Sequence, residues 1–228
     1  MTFDAVIFDC DGVLVDSEVL SIRGEREVLA EMGLHYDPPA YVERYCGMHD
    51  DAFFKALRAD YESRLARAAP DDFEERLLEG RRRRKSELQA VPGAADAARA
   101  VKALVANVAV ASSSRAHFLK SKLERTALYD VFAPHVYSAD LVARGKPAPD
   151  VFLYAADRVG VAPERCLVLE DSVNGVTAGA AAGMTVWGFA GGGHIFEGHT
   201  ERLREAGAAA IVASFADLSA NVSSTLGA

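Results

Sequence analysis

The chain is short of the residues that would mark several functional classes. Its three cysteines, Cys10, Cys46 and Cys166, are far apart, odd in number and without CxxC spacing, so neither a disulfide framework nor a zinc site is expected. No apolar run approaches the roughly 20 residues that a membrane span needs. The opening stretch MTFDAVIFDCDG lacks a basic segment and a cleavage site, which makes a cytoplasmic location the expectation. Positive charge is also scarce: 25 Lys and Arg face 33 Asp and Glu, for a net charge of −8. No basic stripe interleaved with aromatics offsets that balance, so neither nucleic acid nor a membrane is an expected partner. Internal repeats and low-complexity linkers are absent, and Asn221-Val222-Ser223 has the form of a glycosylation acceptor without an export signal to give it meaning.

What remains is an ordinary globular composition, half hydrophobic and a quarter charged, in 228 residues. That length suits one core with a smaller insert. Short apolar runs ending in small or acidic residues read as buried strands: 5–9 (AVIFD), 108–114 (VAVASSS), 135–138 (HVYS), 166–171 (CLVLED) and 185–189 (TVWGF). Helical periodicity lies between them, as in Ala97, Val101, Leu104 and Val105, or Phe152, Ala155, Ala156 and Val159. From residue 91 strand and helix alternate, which predicts a doubly wound, Rossmann-like parallel sheet of the α/β class with ligands bound beyond the carboxyl ends of the strands. The long stretch after the first strand reads instead as helix, over 17–32, 50–68 and 71–88. The expected organisation is therefore an α/β core over 1–16 and 91–228, with an all-helical cap domain over 17–90 inserted after the first strand.

The residues able to do chemistry gather at the expected strand ends. Asp9 and Asp11 stand where the first strand runs out; two carboxylates in a partly dry site repel each other unless a cation or a division of roles compensates. A strand-end Asp followed by a turn Asp before Gly12 is the plainer reading. Glu170 and Asp171 end another strand, and together the pairs could supply hard oxygen ligands suited to Mg²⁺. Capping of the helix starting near Asn174 is the alternative for this second pair. Ser112-Ser113-Ser114 closes a strand ahead of a helix, where a hydroxyl and successive N–H groups bind phosphate oxygen, although serine runs are also plain loop material. Lys146, in GKPAPD, is held by the prolines that follow it and could offset charge at a carboxylate and a phosphoryl group.

In this order, FDxDGxLxDSE, a strand ending in Ser, GKPAPD and LEDSxNG resemble the four motifs of the haloacid dehalogenase superfamily, over essentially the whole chain. The resemblance is to the branch with a helical cap that contains β-phosphoglucomutase and many sugar-phosphate phosphatases. It implies a Mg²⁺-dependent phosphatase acting on a small phosphorylated metabolite. Asp9 would be the nucleophile that becomes an aspartyl-phosphate, and Asp11 the acid and base. Ser112, the backbone around Ser113, and Lys146 would hold the phosphoryl group, with Lys146 also orienting Asp9. The metal would be bound by the side chains of Asp9 and Asp171, the backbone carbonyl of Asp11, and Glu170 directly or through water.

A mutase of the β-phosphoglucomutase kind would need a phosphate clamp where alignment puts Asp50, an acid that repels phosphate, so the phosphatase reading is preferred. A non-catalytic regulatory descendant would normally lack one of Asp9, Asp11, Lys146 or Asp171, and all four are present. His49 and Asp50, in the first cap loop, are candidates for substrate choice. The run Arg81 to Lys85 reads as a solvated helix face, since four arginines cannot share one side. Gly191 to Gly193 read as a turn, His194 and His199 make no convincing metal pair, and Trp187 and Phe189 read as core.

Overall fold

The computed structural model, which describes residues 3–46, 48, 50–105 and 107–218 (for Asp50 and Asp51 only the backbone), arranges its apolar runs in one parallel sheet. The strands are β1 (Ala5–Phe8), β2 (Asn107–Ser112), β3 (Val136–Ser138), β4 (Cys166–Glu170), β5 (Thr185–Phe189) and β6 (Ala210–Val212), in the order β3-β2-β1-β4-β5-β6. β1 lies at the centre between β2 and β4 and is buried along its whole length, which is why it reads as an unbroken apolar run. Helices between the strands cover the sheet: α5 (Ala94–Leu104), α6 (Ala116–Arg125), α7 (Tyr129–Phe132), α8 (Asp150–Val159), α9 (Val173–Ala181) and α10 (His199–Glu205), preceded in the chain by α1 (Ser17–Glu31), α2 (Pro38–Tyr45), α3 (Asp50–Leu65) and α4 (Phe73–Arg83).

Tertiary packing divides the chain into two compact units. One comprises Met1–Asp16, Gln89–Gly193 and Gly198–Ala228; the other comprises Ser17–Leu88 with His194–Glu197. The segment 194–197 therefore packs with the helical residues, whereas the sequence reading kept all of 91–228 together. In the α/β unit the chain leaves and returns at neighbouring points, where Asp16 N donates to Gln89 O at 3.1 Å. In the helical unit, Leu29, Tyr41, Leu57, Tyr61, Phe73 and Leu77 form a core of their own.

Four elements escaped the sequence reading: β6, α2, α7 and α10. β6 is three residues at the sheet edge, too short for a periodic signal. α2 begins at Pro38-Pro39, which reads as a break although proline is tolerated in a first helical turn. The basic run needs correction too. Arg82 and Arg83 are about half exposed, but Arg81 pairs with the buried Glu25, and Arg84 with Glu27, so part of the run fastens α4 to α1. Trp187 and Phe189 are buried, as their strand position suggests.

Candidate active site

With strand order 3-2-1-4-5-6, connections run outward in opposite directions from β1 and β4, leaving a crevice at the carboxyl ends of this pair. Asp9 follows β1 directly, and its N–H donates to Leu169 O at 2.9 Å, so it stands level with Glu170 at the end of β4. Asp171 comes next. One carboxylate oxygen from each of Asp9, Glu170 and Asp171 lies within 4.8 Å of the others, and all three residues are buried.

Lys146 enters this acidic group from the loop before α8. Its ammonium, with the side chain only 4% exposed, lies 2.5 Å from Asp9 Oδ1 and 2.9 Å from Glu170 Oε1, and donates to Ala111 O at 3.0 Å. Burial works against the ammonium, yet Asp9 and Glu170 outweigh it and hold its pKa above the ordinary lysine value. Burial pushes the Asp9 carboxyl well above the usual range; Lys146 opposes this, and Glu170, Asp171 and Asp11 add to it. Three ionised carboxylates and one ammonium sum to a charge of −2. That sum, the all-oxygen donor set and the spacing fit a divalent hard cation.

Glu170 is fixed by the turn into α9. Its Oε2 accepts from Ser172 N at 2.7 Å and from Ser172 Oγ at 2.9 Å. The cap of α9 is Ser172, whose Oγ accepts from Gly175 N at 3.0 Å, so the capping role considered for Glu170 and Asp171 falls to their neighbour. Behind Asp171, an imidazole nitrogen of His199 lies 2.7 Å from its main-chain carbonyl.

The Asp11 carboxylate stands apart from the acidic group. Its Oδ2 accepts from Ser114 Oγ at 2.7 Å and its Oδ1 pairs with Lys122, whose Nζ is also 2.9 Å from Ser114 Oγ. Ser112 is buried at the end of β2, with its Oγ accepting from Ser114 N at 3.0 Å, while Ser113 is exposed. Thus Asp9, Glu170, Asp171 and Lys146 converge, and Asp11 is linked to Ser112 through Ser114. His49 and the Asp50 side chain lie outside the described residues. Lys122 was missed in the sequence, and Ser114 was read only as part of the phosphate-binding run Ser112-Ser113-Ser114, not as a partner of Asp11. No spacing signal could have found the lysine, because Lys120 and Lys122 stand symmetrically about Leu119 and Leu123, the two buried residues of α6.

The profile of the haloacid dehalogenase-like hydrolases matches residues 3–183. The chain belongs to that family, and it is a phosphatase. It is 29% identical over 191 residues to the 6-phosphogluconate phosphatase of Escherichia coli (strain K12), covering 84% of each chain. It is 33% identical over 182 residues to the phosphorylated carbohydrates phosphatase of Thermotoga maritima, covering 79% of this chain and 82% of that one. Among solved structures, a family hydrolase from Deinococcus radiodurans R1, with bound phosphate and sodium, superposes with a TM-score of 0.86 at 37% identity, over 98% of this chain and 96% of that one.

Proposed function

We propose that the chain is a Mg²⁺-dependent phosphatase that hydrolyses a small phosphomonoester, a sugar phosphate or a related phosphorylated metabolite, through an aspartyl-phosphate. The reading is carried by the convergence of the Asp9, Glu170 and Asp171 carboxylates, with the Lys146 ammonium against the first two. The names of the relatives from E. coli and T. maritima support the substrate class.

In this reading an Asp9 carboxylate oxygen attacks phosphorus, and the bond to the ester oxygen breaks. Asp11 gives its proton to the departing alcohol, then takes one from the water that attacks the aspartyl-phosphate, releasing inorganic phosphate and restoring Asp9. Ser112 and the backbone around Ser113 hold the phosphoryl oxygens, and Lys146 orients Asp9 and offsets their charge. The side chains of Asp9 and Asp171, the Asp11 carbonyl, and Glu170 directly or through water would hold Mg²⁺, which would supply positive charge to offset the repulsion of carboxylate and phosphate. The helical insertion over 17–90 is taken as the cap domain, His49 and Asp50 as its candidates for substrate choice, and the cytoplasm as the site of action.

The test is a panel of phosphate monoesters assayed with and without Mg²⁺, wild type beside Asp9→Asn and Asp11→Asn. Turnover should require the metal and both carboxylates; normal turnover by Asp9→Asn sinks the proposal. Conversion of a sugar 1-phosphate into its 6-phosphate isomer without free phosphate would favour the mutase instead.

A further inference from the structure

We propose that Lys122 is a positioning residue: acting with Ser114, it grips both oxygens of the Asp11 carboxylate and aims this group at the leaving alcohol. The proposal rests on the reading of Asp11 as the acid and base, and goes beyond it by assigning a part to Lys122, which no motif contains, and a new partner to the Ser114 hydroxyl.

The geometry is a closed set of three groups. Lys122 pairs with Asp11 Oδ1 and donates to Ser114 Oγ, and the Ser114 hydroxyl in turn donates to Asp11 Oδ2. A carboxylate held at both oxygens cannot rotate about its terminal bond without breaking one of the contacts, so its plane is fixed. The grip is anchored in turn. Ser114 N donates to Ser112 Oγ, and Ser114 O accepts from Ser138 Oγ at 2.7 Å, so the loop after β2 is tied to β3. That same loop carries Ser112, so the acid and the proposed phosphate holder share one frame.

The inward direction of Lys122 is not the default for a lysine on this helix. Lys120, two residues earlier, is 57% exposed and pairs with Glu124 on the solvent side, whereas Lys122 and its partner Asp11 are 24% and 22% exposed. Partial burial opposes the Lys122 ammonium, and the neighbouring Asp11 carboxylate more than offsets it. An ion pair drawn out of water loses hydration that its mutual attraction often fails to repay, so fold stability alone is a weak reason to draw a lysine inward. Aiming an acid is a stronger one, because a misplacement of about 1 Å can cost about 100-fold in rate.

The test uses leaving-group dependence. With Mg²⁺ present, kcat/KM is measured for p-nitrophenyl phosphate, whose leaving group departs without a proton, and for phenyl phosphate, whose leaving group needs one. The variants are Lys122→Met, Lys122→Arg, Ser114→Ala and Asp11→Asn. Asp11→Asn should lower kcat/KM far more on phenyl phosphate than on p-nitrophenyl phosphate. Lys122→Met should show the same selective loss, about tenfold or more on phenyl phosphate, with Lys122→Arg recovering much of it. Equal losses on both substrates for Asp11→Asn would overturn the acid reading itself. A selective Asp11→Asn beside a Lys122→Met that impairs both substrates equally, or neither, would overturn the positioning role alone. Should Lys122→Met fail to fold, Ser114→Ala decides by the same comparison, a selective loss supporting the grip and an even or absent one rejecting it.

Discussion

Gly175 lies so close to the Glu170 carboxylate that a β-carbon at this position would overlap it. The glycine sits in the first turn of α9, where its N–H is already bonded to Ser172 Oγ, so neither the helix nor the carboxylate can easily yield. Alanine ordinarily gains about 1 kcal/mol over glycine within a helix, but overpacking a buried site costs about 1–3 kcal/mol. Here the overlapped group is a charged partner of Lys146, so the steric cost wins. Gly175→Ala should melt lower than wild type and lose most of its turnover. An unchanged melting temperature with full activity would contradict the packing described.

A second glycine contact holds the helical unit together. Gly24 of α1 and Gly80 of α4 meet backbone to backbone: a β-carbon at Gly24 would strike the Gly80 carbonyl, and one at Gly80 would come within 2.8 Å of Val28 Cγ2. Neither backbone can step aside as a flexible side chain would. Gly24→Ala should therefore destabilise by about 2 kcal/mol despite the gain in helix propensity of about 1 kcal/mol. The loss should appear in near-ultraviolet circular dichroism from Tyr36, Tyr41, Tyr45 and Tyr61. Fluorescence of Trp187, in β5, should change less at the same temperature.

The pH dependence of the helical unit should trace to Asp60. This buried carboxylate accepts from the hydroxyls of Tyr36 and Tyr45 and pairs with Arg44 and Arg64. Burial alone would raise its pKa, but the hydroxyls and guanidinium groups outweigh it and hold the carboxyl below its ordinary value. A carboxyl that is more acidic folded than unfolded adds stability that is present above the unfolded pKa, about 3.9, and is lost as pH falls through the lower folded value. Asp60→Asn should destabilise the unit at pH 7 by about 1–3 kcal/mol and flatten its melting temperature in the acid range. An acid-range profile in Asp60→Asn as steep as that of wild type would assign the effect elsewhere.

How much of this was legible beforehand depended on the physics of each segment. β1 and β4 were readable because a parallel strand buried on both faces must be apolar throughout, and a run such as AVIF followed by Asp9 marks where burial stops. Asp9, Glu170, Asp171 and Lys146 were readable as types at strand ends and in a proline-held loop. Their convergence was expected from their shared place at strand ends and from the family resemblance rather than from any local pattern, because Asp9 and Lys146 are 137 residues apart and only sheet order brings them together. Lys122 was harder still: α6 carries several charges, and Lys120 and Lys122 are spaced symmetrically about the buried Leu119 and Leu123, so the sequence does not separate the inward lysine from the outward one. The pairing of Arg81 with Glu25 was hidden for the same reason, since it depends on how α1 and α4 cross.

The acidic site should be a weak point of the fold until a cation fills it. Asp9, Glu170 and Asp171 are buried with one ammonium among them, and burial already pushes the Asp9 carboxyl well above its ordinary range, the sign of a charge held against its preference. Replacing Asp9 by Asn keeps the shape and removes one charge, leaving Lys146 paired with Glu170. In EDTA, Asp9→Asn should therefore melt no lower than wild type, and relief of repulsion should make it melt higher. Adding Mg²⁺ should reverse the order. A ligand that binds only the folded state stabilises by about 2.7 kcal/mol at a concentration 100 times its dissociation constant, and the variant has lost one of the three clustered carboxylates. Wild type should gain several degrees on saturation and Asp9→Asn much less, in scanning calorimetry that requires no substrate. Equal shifts in both proteins would place the cation away from Asp9.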